Sequence, residues 1–178
     1  MLRHPQSSES PALEIEVKIM RRTSALALTY IVTGEIGAVA LPKRTSPART
    51  DLLWQHTCFE AFLRSAQSAE YLEFNLSPSR EWAAYRFVSY REGMTAELAL
   101  ADPGVEVRLE GGELRLSATI DLSGIEVLAS RDDWLLGLSA IIENEDGGKS
   151  WWVLAHPPGK PDFHHPDSFV LALPGGED

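Results

Sequence analysis

The sequence predicts an all-β protein, an antiparallel sandwich or barrel of about ten or eleven short strands. Three observations carry that prediction. Apolar and polar residues alternate with period two, as where Leu13, Ile15, Val17 and Ile19 interleave with Glu14, Glu16 and Lys18. Turn residues recur at short intervals, at Gly34, Pro42, Pro78, Gly111-Gly112 and Asn144 to Gly148. No long segment keeps a helical spacing.

In chain order, residues 1–12 are rich in Ser and Pro and read as a flexible lead-in, with one domain expected over residues 13–174. Leu13–Met20 and Ala25–Thr33 are the first two strands, joined at Arg21–Ser24, and Ile36–Leu41 is expected as a third, stopped by Pro42. Lys43–Asp51 reads as a surface loop. Three apolar strands follow between Leu52 and Arg91, separated by polar turns at Ser65–Glu70 and Ser77–Glu81. Glu92–Leu98 fits either a loop or one helical turn. Val105–Leu109 and Leu114–Ile120 form a hairpin, whose glycines supply the positive φ of a tight turn. Asp121 caps a short helix toward Leu128. Trp134–Glu143, Ser150–Ala155 and Phe169–Leu173 complete the strands.

Composition narrows the partners. A net charge of −10 disfavours nucleic acid and anionic membrane surfaces, both of which select basic faces. No apolar run approaches the ~20 residues of a membrane helix, and the first residues lack the apolar core of a secretory signal, so a cytoplasmic protein is expected. The single cysteine, Cys58, excludes an internal disulfide and reads as a small buried hydrophobe between apolar neighbours.

The segment Leu52–Arg91 carries the candidate site. Its apolar strands contain Glu60, Glu73, Asn75 and Arg86, and charged residues are rarely buried unless paired. Strand parity puts Tyr71, Glu73 and Asn75 on one side and Leu72, Phe74 and Leu76 on the other. If the purely apolar sets form the core, one surface collects Tyr71, Glu73, Asn75, Trp82, Arg86 and Tyr90, and Glu60 joins it where its strand has the matching register. Aromatic rings beside planar polar groups suit a polyol such as a sugar. The plain alternative is an exposed Glu73–Arg86 cross-strand ion pair. Glu60 and Glu73 also invite glycoside hydrolysis, but a neighbouring Arg86 keeps both ionised, which favours binding over acid catalysis. A protein-interaction domain pairing through a sheet edge is a third alternative.

Trp54 to Leu63, Tyr71 to Pro78 and Trp82 to Tyr85 resemble the DOMON-like superfamily, relatives of family-nine carbohydrate-binding modules and of haem-binding DOMON domains. The segment His156–Pro166 resembles a bacterial branch of that group. The resemblance, over roughly residues 50–173, implies an immunoglobulin-like β-sandwich of about eleven strands with a pocket for sugar or haem.

The loop His156–Asp167 is long and stiffened by prolines, fit to form the rim of a pocket, and His164 is its candidate contact. A metal is not expected there, because adjacent extended histidines diverge. No cofactor is expected. Haem would need an axial pair, for which Met94 with a loop histidine is the combination available. The side chains of Trp151 and Trp152 should point to opposite faces, one into the core and the other toward solvent or ligand. The leading expectation is a non-catalytic domain binding a sugar-like small molecule.

Overall fold

The computed structural model describes residues 1–8, 11–128 and 133–175. Residues 9 and 10 of the expected lead-in and 129–132 of the expected domain lie outside them.

Two sheets face one another. The smaller is antiparallel, in the order β2 (Leu13–Arg22), β3 (Ala25–Gly34), β10 (Glu113–Asp121), β9 (Glu106–Glu110). The larger runs β1 (Leu2–Arg3), β12 (Lys149–Val153), β11 (Trp134–Glu143), β5 (Cys58–Ser65), β6 (Tyr71–Leu76), β7 (Glu81–Phe87), β4 (Ala48–Arg49). β13 (Leu171–Leu173) adds to β11 and β8 (Thr95–Ala96) to β7, and only the β4–β7 pair is parallel. Three of the thirteen strands among the described residues, β1, β4 and β8, are two-residue pairings; the other ten correspond to ten of the eleven expected segments, the exception being Ile36–Leu41.

Alternation builds the core. Leu26, Leu28, Tyr30 and Val32 of β3 and Leu114, Leu116, Ala118 and Ile120 of β10 face Phe59, Ala61 and Leu63 of β5, Leu72, Phe74 and Leu76 of β6, and Trp134, Leu136, Leu138, Ala140 and Ile142 of β11. The β9–β10 hairpin closes on Gly111 and Gly112 at φ 60° and 78°, the positive values at both central positions that a type I′ turn requires.

Several segments differ from the sequence expectation. Ile36–Ala38 is a 3-10 turn, because Ile36 and Val39, three apart, both reach the core and a strand would send them to opposite faces. Leu53–Gln55 is another, so the first central strand starts at Cys58. The third central strand ends at Phe87. Residues 1–8 are not a frayed lead-in: Leu2 and Arg3 pair with Val153 and Trp152, and His4 is buried.

β6 is buried at all six positions and β5 at seven of eight. A sheet covered on one face would alternate. The outer face of the larger sheet therefore has its own cover, made by the Leu53–Gln55 turn and the segment leading into Phe169. Gly137 allows this cover to approach, since a Cβ there would lie 2.9 Å from the carbonyl oxygen of Ser168.

Candidate ligand-binding site

Register decides the floor of the site. Glu60 pairs with Asn75 and Phe62 with Glu73 across β5–β6, and Glu73 pairs with Tyr85 and Asn75 with Ala83 across β6–β7. Glu60, Glu73 and Asn75 thus share the outer face with Tyr71, Tyr85 and Phe87. Trp82 and Arg86 do not. Trp82 pairs with Leu76 and enters the core, with the Arg49 guanidinium 4.1 Å over its ring. Arg86 pairs with Leu72 and reaches Glu97 at 2.6 Å and Glu70 at 3.0 Å. The single expected surface is corrected accordingly: Tyr85 and Phe87, which share with Ala83 the strand parity that holds no charged residue and so reads as core, are the outward residues of β7. Tyr90 lies beyond β7, and its hydroxyl donates to Asp162 at 2.5 Å. Arg86→Ala is expected to cost about 1–2 kcal/mol by stranding buried Glu97 and to leave ligand affinity unchanged; a loss of binding at unchanged stability in the same titration would contradict this placement.

The floor is acidic and buried. Glu60 is 3% exposed, and its Oε2 accepts from the Ser139 hydroxyl at 2.6 Å. Burial, then the nearby Glu73 charge, pushes the Glu60 carboxyl up to about 8, against the Ser139 hydrogen bond. Burial also raises Glu73, while the Asn75 amide, donating at 2.6 Å, and the Arg91 charge pull it back. The expectation that Arg86 keeps both ionised is overturned: its charge is on the other face, with Glu97 and Glu70, while burial and the Glu73 charge hold the Glu60 carboxyl up.

His164 sits above this floor. Its Nδ1 lies 2.8 Å from the Tyr71 hydroxyl and its Nε2 3.7 Å from Glu73 Oε2. Phe62 and Phe87 meet the ring edge-on at centroid distances of 5.0 and 5.1 Å. Burial, then the Arg91 charge, lowers its pKa to about 4, so the ring is neutral. The Arg91 backbone N–H donates to the Tyr71 oxygen, leaving the hydroxyl hydrogen for Nδ1 and the ring proton on Nε2, toward Glu73. Asp162 fastens the same loop by accepting from Arg91 at 2.8 Å.

Above the floor opens a cavity of about 850 Å³. Glu60, Glu73, Tyr85 and Phe87 line its base; Trp54, Trp151, Phe163 and His164 line its walls; Asp51 and Arg91 are its other charged residues. Trp152 is in the core and Trp151 on the cavity, the division expected of adjacent strand residues. Leu52 and Arg91 hold left-handed backbone at φ 63° and 56°, a conformation worth roughly 1–2 kcal/mol against a non-glycine residue. Both line the cavity, where such strain tends to collect. Trp54, Asp51 and Arg91 were missed in the sequence because they stand in loops with no periodicity to place them. His56, which shares strand parity with Glu60 in the sequence, lies before β5 begins and meets Glu143 at 2.7 Å.

Among the described residues no three His, Cys, Asp or Glu side chains gather as metal ligands. Met94 and His164 do line one cavity. The residues do not fit haem iron, however: one His164 nitrogen is held by Tyr71, the other faces Glu73, and the base beneath is acidic.

No protein-family description and no curated protein matches the chain. Solved structures do. A protein of Bacteroides uniformis described as carbohydrate-binding superposes with a TM-score of 0.65 at 14% identity, over 88% of this chain and 76% of that one. A family-nine carbohydrate-binding module from Caldicellulosiruptor kristjanssonii, in complex with cellotriose, superposes with a TM-score of 0.56 at 16% identity, over 99% and 83%. At such identities the likeness is one of fold. No helix among the described residues is long and apolar enough to cross a membrane.

Proposed function

We propose that the chain is a non-catalytic, DOMON-like carbohydrate-binding domain spanning residues 13–174, with the saccharide held in the cavity on the outer face of the larger sheet. The observation that carries this is a cavity of about 850 Å³ in which Trp54 and Trp151 stand over a polar floor. Indole rings cover the apolar face of a pyranose, while Asp51, Glu73, Tyr85, Arg91 and His164 offer oriented donors and acceptors to its hydroxyls. The fold shared with a cellotriose-binding module agrees with this reading. Of the residues named from sequence, Glu60, Glu73 and His164 belong to the proposed site, with Asn75 orienting Glu73; Tyr90 acts through Asp162.

Titration calorimetry with neutral mono- and oligosaccharides, cellotriose among them, tests the proposal. Binding of at least one, weakened about tenfold or more in Trp151→Ala, is expected. Failure of every saccharide would contradict it.

One observation favours a second reading. Burial holds the Glu60 carboxyl up, to about 8, beside Glu73, its diagonal neighbour across β5–β6, with Cβ atoms somewhat under ~7–8 Å apart. That is the pairing of an acid with a carboxylate used in glycoside hydrolysis. A turnover assay on each bound glycan separates the two.

A further inference from the structure

The charge around the cavity is unbalanced. Three carboxyl groups line it, Asp51, Glu60 and Glu73, the Glu60 carboxyl held up by burial, against one guanidinium, Arg91. Arg91 is already matched by Asp162 at 2.8 Å, and His164 is neutral. Asp51 accepts from the Tyr85 hydroxyl at 2.6 Å. Among the described residues neither Glu60 nor Glu73 forms an ion pair with Lys or Arg.

The two floor carboxylates are also short of donors. Glu60 spends one oxygen on Ser139, and its other oxygen has no hydrogen-bond partner among the described residues, although the side chain is 3% exposed and lines the cavity. Glu73 spends Oε1 on Asn75, and its Oε2 stands 3.7 Å from the nearest His164 nitrogen, beyond hydrogen-bond reach. Burying a carboxylate without a cation is costly, which is why the Glu60 carboxyl is held up; a cation seated between Glu60 and Glu73 would offset that cost and let both ionise. The same cavity is lined by Tyr85, Phe87 and the two tryptophans, residues whose ring faces attract a cation.

We propose that the cavity takes an amine-bearing saccharide, its ammonium group seated between Glu60 and Glu73 and its ring against the tryptophan walls. This rests on the saccharide reading above and adds the charge of the ligand. The groups that face Glu60 from the elements around it are Glu73 and Asn75 on β6, Cys58 on its own strand, Ser139 on β11, Tyr85 on β7, and Asp51, Arg91 and His164 at the cavity. Tyr30 of the facing sheet donates to the Glu60 backbone carbonyl at 2.6 Å. None of these except Arg91 carries positive charge at neutral pH. An arriving ammonium is then the group that drives the Glu60 proton off, and that proton goes to the buffer.

Calorimetry on the full chain near pH 7 with glucosamine, glucose and N-acetylglucosamine, in two buffers of different ionisation heat, tests the proposal. Glucosamine is expected to bind about tenfold more tightly than either neutral sugar, with net proton release. In Glu73→Gln and in Glu60→Gln the ratio of glucosamine to glucose affinity is expected to fall toward one, each variant being checked for a cooperative unfolding transition. Equal affinities in the wild type, or a preference that survives both substitutions, would overturn the proposal. Glucose binding with no amine preference leaves the saccharide reading standing and removes this one. Binding of cyclohexylamine but of no sugar, glucosamine included, shows an ammonium site that takes no saccharide and removes both, as does binding of none of these probes.

Discussion

Glu60→Gln is expected to raise the midpoint of thermal unfolding at about pH 8, by on the order of 5–10 °C, and to change it little at about pH 4. In the unfolded chain this carboxyl titrates near the ordinary 4.5, and in the folded protein near 8. Below the lower value both states are protonated and the group contributes nothing to the pH dependence. Between the two values the folded state keeps a proton that the unfolded state has lost, so stability falls as pH rises; above the upper value the curve is flat again. The fall is on the order of a few kcal/mol, and Glu73, also raised, acts in the same direction. Glutamine is neutral throughout and still offers Ser139 an acceptor, so the slope between about pH 5 and 8 should flatten in the variant. Melting curves across that range check this. A wild-type profile that is flat or rises there would show Glu60 to be ionised and paired.

The tryptophan pair gives the second large effect. Trp152→Ala removes a ring that packs in the core and whose indole N–H donates to Ser150 at 2.9 Å. The expected cost is about 3–5 kcal/mol. Trp151→Ala, one residue away on the same strand, opens only half-buried surface and is expected to cost about 1 kcal/mol or less while weakening saccharide binding about tenfold or more. Chemical denaturation and calorimetry on the two variants read both outcomes. A large stability loss in Trp151→Ala with ligand affinity intact would reverse the assignment of faces.

The legible part of the fold was the part whose local pattern and tertiary use agree. β2, β3 and β10 alternate because each has one covered face, and β11 has the bounds the sequence predicts; β9 alternates in sequence, although only Val107 is even half-buried. Ile36–Ala38 failed because a six-residue apolar stretch looks alike as strand or turn, and only packing separates them. The site was legible through its polar residues inside apolar strands. Glu60 stood out between Phe59 and Phe62, and Glu73 with Asn75 shared a parity that no assumption could change. Between strands the parity is set by the turn, and there the sequence misled. Sorting β7 by polarity placed Arg86 and Trp82 beside Glu73, whereas the Leu76–Trp82 pairing turns both away. The walls were out of reach for a different reason. Trp54 depends on the left-handed turn at Leu52, and Arg91 on the turn after β7 and on Asp162, seventy-one residues away.

The most direct test of the account follows the five indole N–H resonances by NMR while cellotriose, or another saccharide that calorimetry finds to bind, is added. Trp54 and Trp151 line the cavity; Trp82, Trp134 and Trp152 lie in the core. The account predicts saturable shifts confined to Trp54 and Trp151. Saturable shifts centred on Trp82, Trp134 or Trp152, or no shift in any of the five at saturating ligand, would contradict it.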